Sequence, residues 1–166
     1  QGAPLTVYTD IYNYPGQMIE SSANAAWNGG YGCFYITRAG TGKNGENVFA
    51  GMTDVMGHEF THAVISSEVG GSLSGVEGTA LGEGISDVMG MCARRHDEST
   101  SAAPSWVMDG IDRDAKIVRK QKSWFDRANN VQHYQYATYD ELKEAIDANE
   151  GGVDCHDGAT VVSHTA

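Results

Sequence analysis

The stretch His58-Glu59-Phe60-Thr61-His62 reads H-E-x-x-H. On an α-helix, His58 and His62 lie one above the other on one face, roughly 6 Å apart at Cβ. From there two imidazoles can grip one metal ion from the same side. Glu59, displaced around the helix, can reach a water held on that metal without being a ligand itself. Two ligands and a general base on one rigid element form the minimal layout for zinc-assisted hydrolysis. Glu83 and Asp87 are also four residues apart. A helical hairpin linked by the Gly-rich stretch 70–75 can place Glu83 against the two histidines, which makes a His2Glu set with an open position for water. Asp87 can then accept the second ring N–H of one histidine and fix its tautomer. The bland alternative makes Glu83 and Asp87 a solvated acidic face.

Several elements must position these residues. Residues 5–9 alternate apolar and polar and predict a short strand, followed by a turn at Asn13-Tyr14-Pro15-Gly16. Residues 24–37 predict a hairpin, with the aromatic and β-branched run from Tyr31 to Thr37 as its stronger strand. Thr53 and Asp54 supply N-cap chemistry for the helix carrying the motif, whose apolar set is Val55, Met56, Phe60, Ala63 and Val64 and whose end falls near Glu68. A second helix is predicted from Val76 or Glu77 to Arg95, with Ala80, Leu81, Ile85, Val88, Met89 and Cys92 as its apolar set. Residues 96–105 read as polar loop and 106–118 as irregular. Residues 139–148 form a further helix, with Asp140 and Glu141 in its first turn. An apolar helix begins at Thr160.

Composition narrows the function classes. The 166 residues are 40% hydrophobic and 20% charged, enough for a packed core, and the 21 glycines imply many tight turns. A net charge of −11 disfavours nucleic-acid binding, which needs a basic face. No apolar run approaches the ~20 residues of a membrane-spanning helix. Cys33, Cys92 and Cys155 allow one pair plus a free thiol, a bond to another chain, or buried thiols. Gln1 opens no signal-peptide pattern. The expectation is a processed or internal piece of a longer product, secreted to judge from its acidic, Lys-poor surface.

At the residues quoted, the chain resembles the thermolysin-like zinc metallopeptidases of the gluzincin type. The resemblance rests on four blocks in order: Asn24-Ala25-Ala26-Trp27-Asn28-Gly29, His58 to Val64, Gly82-Glu83-Gly84-Ile85-Ser86-Asp87 and the segment from Cys155 to His164. The third block is also close to the G-E-G-x-x-D form of fungalysin-type relatives. The resemblance implies an α+β catalytic core with a small β lobe (1–75, ending in the motif helix) and a helical lobe (76–166) flanking a zinc cleft. It implies zinc held by His58, His62 and Glu83, with Asp87 in support. Glu59 would deprotonate the zinc-bound water and protonate the leaving amine, and His156 would hydrogen-bond the oxyanion. Asn24, Ala25 and Trp27 belong to an edge strand that binds substrate backbone. Arg119 is the candidate for a substrate-carbonyl arginine, although it also belongs to a basic run with Lys116, Lys120 and Lys122. Phe49 and Val55 would line the pocket for the residue after the cut.

The chain departs from that family in several places. Gly82 stands where bacterial members carry Asn, so one histidine's supporting hydrogen bond must come from elsewhere. Residues 63–82 contain no Tyr to share the oxyanion. Asp54 remains from the family's double calcium site, but the partner positions read Arg94, Ser105 and Val107. No double site is expected, which leaves Asp109, Asp112 or Asp114 for any calcium. The family has a β-rich lobe before residue 1 and helices after Ala166, so the chain is expected to be incomplete at both ends, completed by a larger parent or a partner chain. The resulting expectation is a zinc endopeptidase acting on proteins or peptides. The alternative is a weak or inactive protease-derived subunit of an extracellular assembly.

Overall fold

In the computed structural model, the described residues are 5–11, 13–14, 17–18, 25–37, 53–71, 73–97, 136–148 and 152–165. They form β1 (Thr6–Ile11), β2 (Asn13–Tyr14), β3 (Gln17–Met18), β4 (Ala25–Asn28), β5 (Cys33–Thr37), α1 (Thr53–Val69), α2 (Gly75–Asp97), α3 (Tyr139–Ala148) and α4 (Cys155–Thr165). The class is α+β. β4 and β5 make the expected antiparallel hairpin, with Trp27 opposite Phe34 and Asn28 opposite Cys33. The Asn28 side chain accepts the Tyr31 backbone N–H at 2.9 Å and closes the link between them. β1 adds in parallel to the far side of β5, giving the order β1-β5-β4. This parallel pairing is a long-range event that the local pattern did not indicate. β2 and β3 pair as a separate two-stranded ribbon around the predicted turn.

The sheet meets the helices through Ile36 and Val55, both buried, with Ala25 and Met56 packed alongside. Val55 is therefore core rather than pocket lining, a correction to the sequence reading. Its place near the start of α1 aims it under the hairpin. A second cluster joins Ala80, Tyr136 and Leu142, with Ile146, Val153 and Val161 against it.

α1 ends in a Schellman cap. Gly70 takes φ +70°, and the Gly71 N–H donates to Ser66 O at 2.9 Å. α2 then runs back along α1 and is covered on its other side by α4. Both crossings depend on small residues. A Cβ on Gly90 would lie 2.4 Å from Asp54 O, and one on Gly57 would lie 2.9 Å from Ala93 Cβ. Toward α4, a Cβ on Gly84 would lie 2.5 Å from Val162 Cβ, and one on Gly158 would lie 2.6 Å from Ala80 Cβ.

These crossings bury only part of the two predicted apolar stripes, Val55 and Ala80 among them. Phe60 and Val64 on α1, and Leu81, Met89 and Cys92 on α2, are exposed. The buried face of α1 joins Val55 to the polar residues Asp54, His58, Glu59 and Thr61. The reason is that the faces in contact are chosen by the glycines, which let the backbones approach, and by polar pairs that satisfy one another. α4 also starts earlier than predicted, at Cys155. Asp154 is its N-cap, accepting the His156 backbone N–H at 2.8 Å. The irregular stretch 106–118, Phe49, and the calcium candidates Asp109, Asp112 and Asp114 lie outside the described residues.

Gly90→Ala should lower unfolding stability by about 2–3 kcal/mol, because backbone atoms must move to admit the methyl. Gly82→Ala, whose methyl would meet only Leu73 Cδ1 at 3.6 Å, should be neutral or gain up to ~1 kcal/mol. Urea unfolding midpoints of the two variants measure the contrast, and equal midpoints would contradict so close a crossing.

Candidate metal centre

α1 and α2 bring His58, His62 and Glu83 together. The two Nε2 atoms are 3.0 Å apart, Glu83 Oε2 is 3.3 Å from His58 Nε2, and Glu83 Oε1 is 3.4 Å from His62 Nε2. Each histidine is held from behind. Asp87 Oδ1 lies 2.8 Å from His58 Nδ1, and Ser86 Oγ lies 3.3 Å from His62 Nδ1. With both Nδ1 positions so engaged, both Nε2 lone pairs turn toward Glu83. Ser86 was missed in the sequence, although it neighbours Asp87. It supplies a support of the kind that Gly82 lacks.

The three donor atoms suit a small divalent metal ion. Bonds of about 2.0–2.2 Å to a tetrahedral zinc would put its ligand atoms roughly 3.3–3.6 Å apart, close to the separations seen. The donors are two imidazoles and one carboxylate, a borderline set suited to zinc. Charge points the same way. Burial favours the neutral His58 ring, yet Asp87 and Glu83 beside it push its pKa up to about 9. Burial also disfavours the Glu83 carboxylate, but His58 and His62 hold it well below the usual carboxylate range. A positive charge is thus strongly stabilised where the three groups meet.

Glu59 sits one residue past His58 and is buried. Burial raises its pKa, opposed by the neighbouring His58 and His62. Its Oε2 accepts the Trp27 backbone N–H at 2.7 Å. This bond ties α1 to β4, and no local signal in the sequence indicated it. It also orients β4. If the Trp27 N–H points away from β5, the main-chain groups of Ala25, two residues earlier, point the same way.

His156, on the first turn of α4, also faces Glu83, with Nε2 3.4 Å from the Oε2 that meets His58. Asp154 Oδ1 meets its Nδ1 at 2.7 Å. Ala25, Trp27, His58, Glu59, Glu83 and His156 all border one open cleft of about 410 Å³. Asp54 lies apart from it, buried and paired with Arg94 at 3.2 Å. A guanidinium thus faces the carboxylate expected to be left over from a calcium site. Asn24 and Arg119 lie outside the described residues. Cys33, Cys92 and Cys155 are free thiols.

Two histidines and a carboxylate around one point, with a second carboxylate beside them in a cleft, have the make-up of a metallohydrolase centre. The family model of the thermolysin metallopeptidase catalytic domain matches residues 2–66, so this part of the chain is similar to part of that domain. That family is zinc-dependent. The match takes in His58, Glu59 and His62, whereas Glu83, Asp87 and His156 lie beyond it. No curated protein matches the chain.

Zinc must displace the His58 proton, so uptake by metal-free protein near pH 7 should release about one proton. Zinc affinity should rise with pH and level off above about 9. Calorimetry in buffers of different ionisation enthalpy reads the proton count. Without metal, the raised His58 pKa contributes stability that is complete below about 6.5 and lost as pH rises through about 9. Thermal unfolding of chelated protein should follow that window.

Proposed function

We propose that this chain carries the zinc-binding core of a secreted endopeptidase of the gluzincin type, with a small β lobe and a helical lobe flanking the cleft. The observation that carries the reading is the convergence of His58, His62 and Glu83 beside a Glu59 that is not part of the donor set. When bound there, zinc would polarise a peptide carbonyl and bring the pKa of water to near 7.

The chain's own residues then have distinct tasks. Glu59 takes the proton of the attacking water and passes it to the leaving amine. Its raised pKa suits a group that must both accept and return a proton near neutrality. The Trp27 N–H fixes its carboxylate toward the cleft. β4 has no strand neighbour beyond β5 among the described residues, so its outer edge can receive an extended peptide. Because the Trp27 N–H is committed to Glu59, Ala25 offers the main-chain groups for that pairing. His156 donates from Nε2 to the oxygen that gains charge as the carbonyl becomes tetrahedral. Asp154 keeps the ring turned that way.

Hydrolysis of a peptide library should stop on chelation and return with zinc. Glu59→Gln should lower kcat by ~10²–10⁴-fold while zinc binding persists. His156→Gln should lose up to ~10²–10³-fold, mainly in kcat. Chelator-insensitive cleavage, or full activity in Glu59→Gln, would overturn the reading. Zinc binding with no turnover of any peptide would favour a protease-derived binding subunit.

A further inference from the structure

The cleft continues past the metal centre by one helical turn. Ser66 comes four residues after His62 on α1, and Thr79 comes four residues before Glu83 on α2. Each therefore shares a helix face with its donor, about 5–6 Å further along the axis. Because α2 runs back along α1, both steps lead the same way, toward the link between the helices. Ile65, Ser66 and Thr79 border the cleft there, and Leu73 borders it from the link. The hairpin follows the same path. Gly29 lies two residues beyond Trp27, and a Cβ on it would be 3.4 Å from Ser66 Oγ.

Leu73 is seated on α2. Gly78 and Gly82 are four residues apart on one face of that helix. A Cβ on Gly78 would lie 3.4 Å from Leu73 Cβ, and one on Gly82 would lie 3.6 Å from Leu73 Cδ1. The leucine thus lies along the helix with its tip toward the turn that carries Glu83. The two glycines keep it low, since larger side chains there would push it into the cleft. The residues bordering this end, Ile65, Ser66, Gly71, Leu73, Thr79 and Gly82, carry no charge. The Thr79 hydroxyl is already engaged by Gly75 O at 2.8 Å.

We propose that this end of the cleft is a pocket for one apolar side chain of the substrate, within two residues of the cleaved bond, and that Leu73 sets its depth and preference. The inference rests on the reading of the chain as a zinc peptidase. An extended peptide advances about 3.3 Å per residue, so a pocket one helical turn from the centre serves a residue one or two positions from the reacting carbonyl. A charged side chain would lose its water there without gaining a partner. A side chain such as leucine would bury apolar surface against Ile65 and Leu73.

The test uses the zinc-loaded full chain and its Leu73→Met, Leu73→Ala and Leu73→Lys variants. Zinc uptake is measured for each and should be unchanged, because Leu73 touches no metal ligand in the proposed set. Cleavage of a peptide library is then read by mass spectrometry. The unmodified chain should favour apolar over charged residues at one position within two residues of the cut, and Leu73→Met should keep that profile. Leu73→Ala should shift the preference at that position toward Phe and Trp by ~10-fold. Leu73→Lys should lower cleavage with Leu there by ~10-fold or more and raise it with Glu. The same peptides are titrated against zinc-loaded Glu59→Gln, alone and combined with each Leu73 variant, so that selectivity is also read without turnover. Profiles that ignore all three substitutions, or that change evenly at positions on both sides of the cut, would overturn the proposal. Leu73-dependent binding selectivity without any hydrolysis would support the pocket and count only against the peptidase reading. Hydrolysis that stops on chelation, with a profile indifferent to Leu73, would leave that reading standing and remove the pocket.

Discussion

The close crossing of α1 and α2 sets how Glu83 meets the two histidines. At that crossing Gly57 and Gly90 admit the opposite helix where a side chain would collide with Ala93 or with Asp54 O. Around Gly90 there is no room even for a methyl group, because Asp54 O fills the space. The glycines therefore act on the chemistry without touching it. They lower the helix–helix distance until His58, His62 and Glu83 share one point.

Bringing the helices together buries polar groups, and that burial is tolerable only because each group finds a counterpart. Asp54 meets Arg94, His58 meets Asp87 and Glu83, His62 meets Ser86, and Glu59 meets the Trp27 N–H. An unpaired charge at such depth would cost several kcal/mol. The polar face of α1 is thus the buried one, and Phe60 and Val64 are left at the surface.

How much of this was legible in the sequence follows from the range of each interaction. The spacing of His58 and His62, and of Glu83 and Asp87, is a consequence of helical period, so their convergence could be anticipated from a hairpin of two helices. The glycines were visible but read as turns, so Phe60, Val64, Leu81, Met89 and Cys92, which are exposed, were grouped with Val55 and Ala80, which are buried. The bond from Trp27 to Glu59 spans 32 residues and involves a backbone donor, which no side-chain pattern reveals. The start of α4 was missed because only the apolar run from Thr160 marked a helix. Recognising Asp154 as an N-cap puts His156 on a helix whose first turn is aimed at Glu83.

The two glutamates of the centre show how a fold gives one residue type two tasks. Glu83 has its two oxygens against two imidazoles, and the positive charge they share overcomes its burial and keeps it ionised. Glu59 is at least as deeply buried, but it accepts from a neutral amide, and burial prevails over the histidines' field, so its pKa goes up. Environments that push like groups in opposite directions would, on the proposed function, separate a ligand from a base. The fully ionised carboxylate suits a cation and the other suits a proton in transit. The Trp27 N–H reinforces the division by holding Glu59 toward the strand instead of the histidines. One backbone donor on β4 thereby keeps Glu59, the proposed base, out of the donor set and ties its position to the strand on which a peptide would lie.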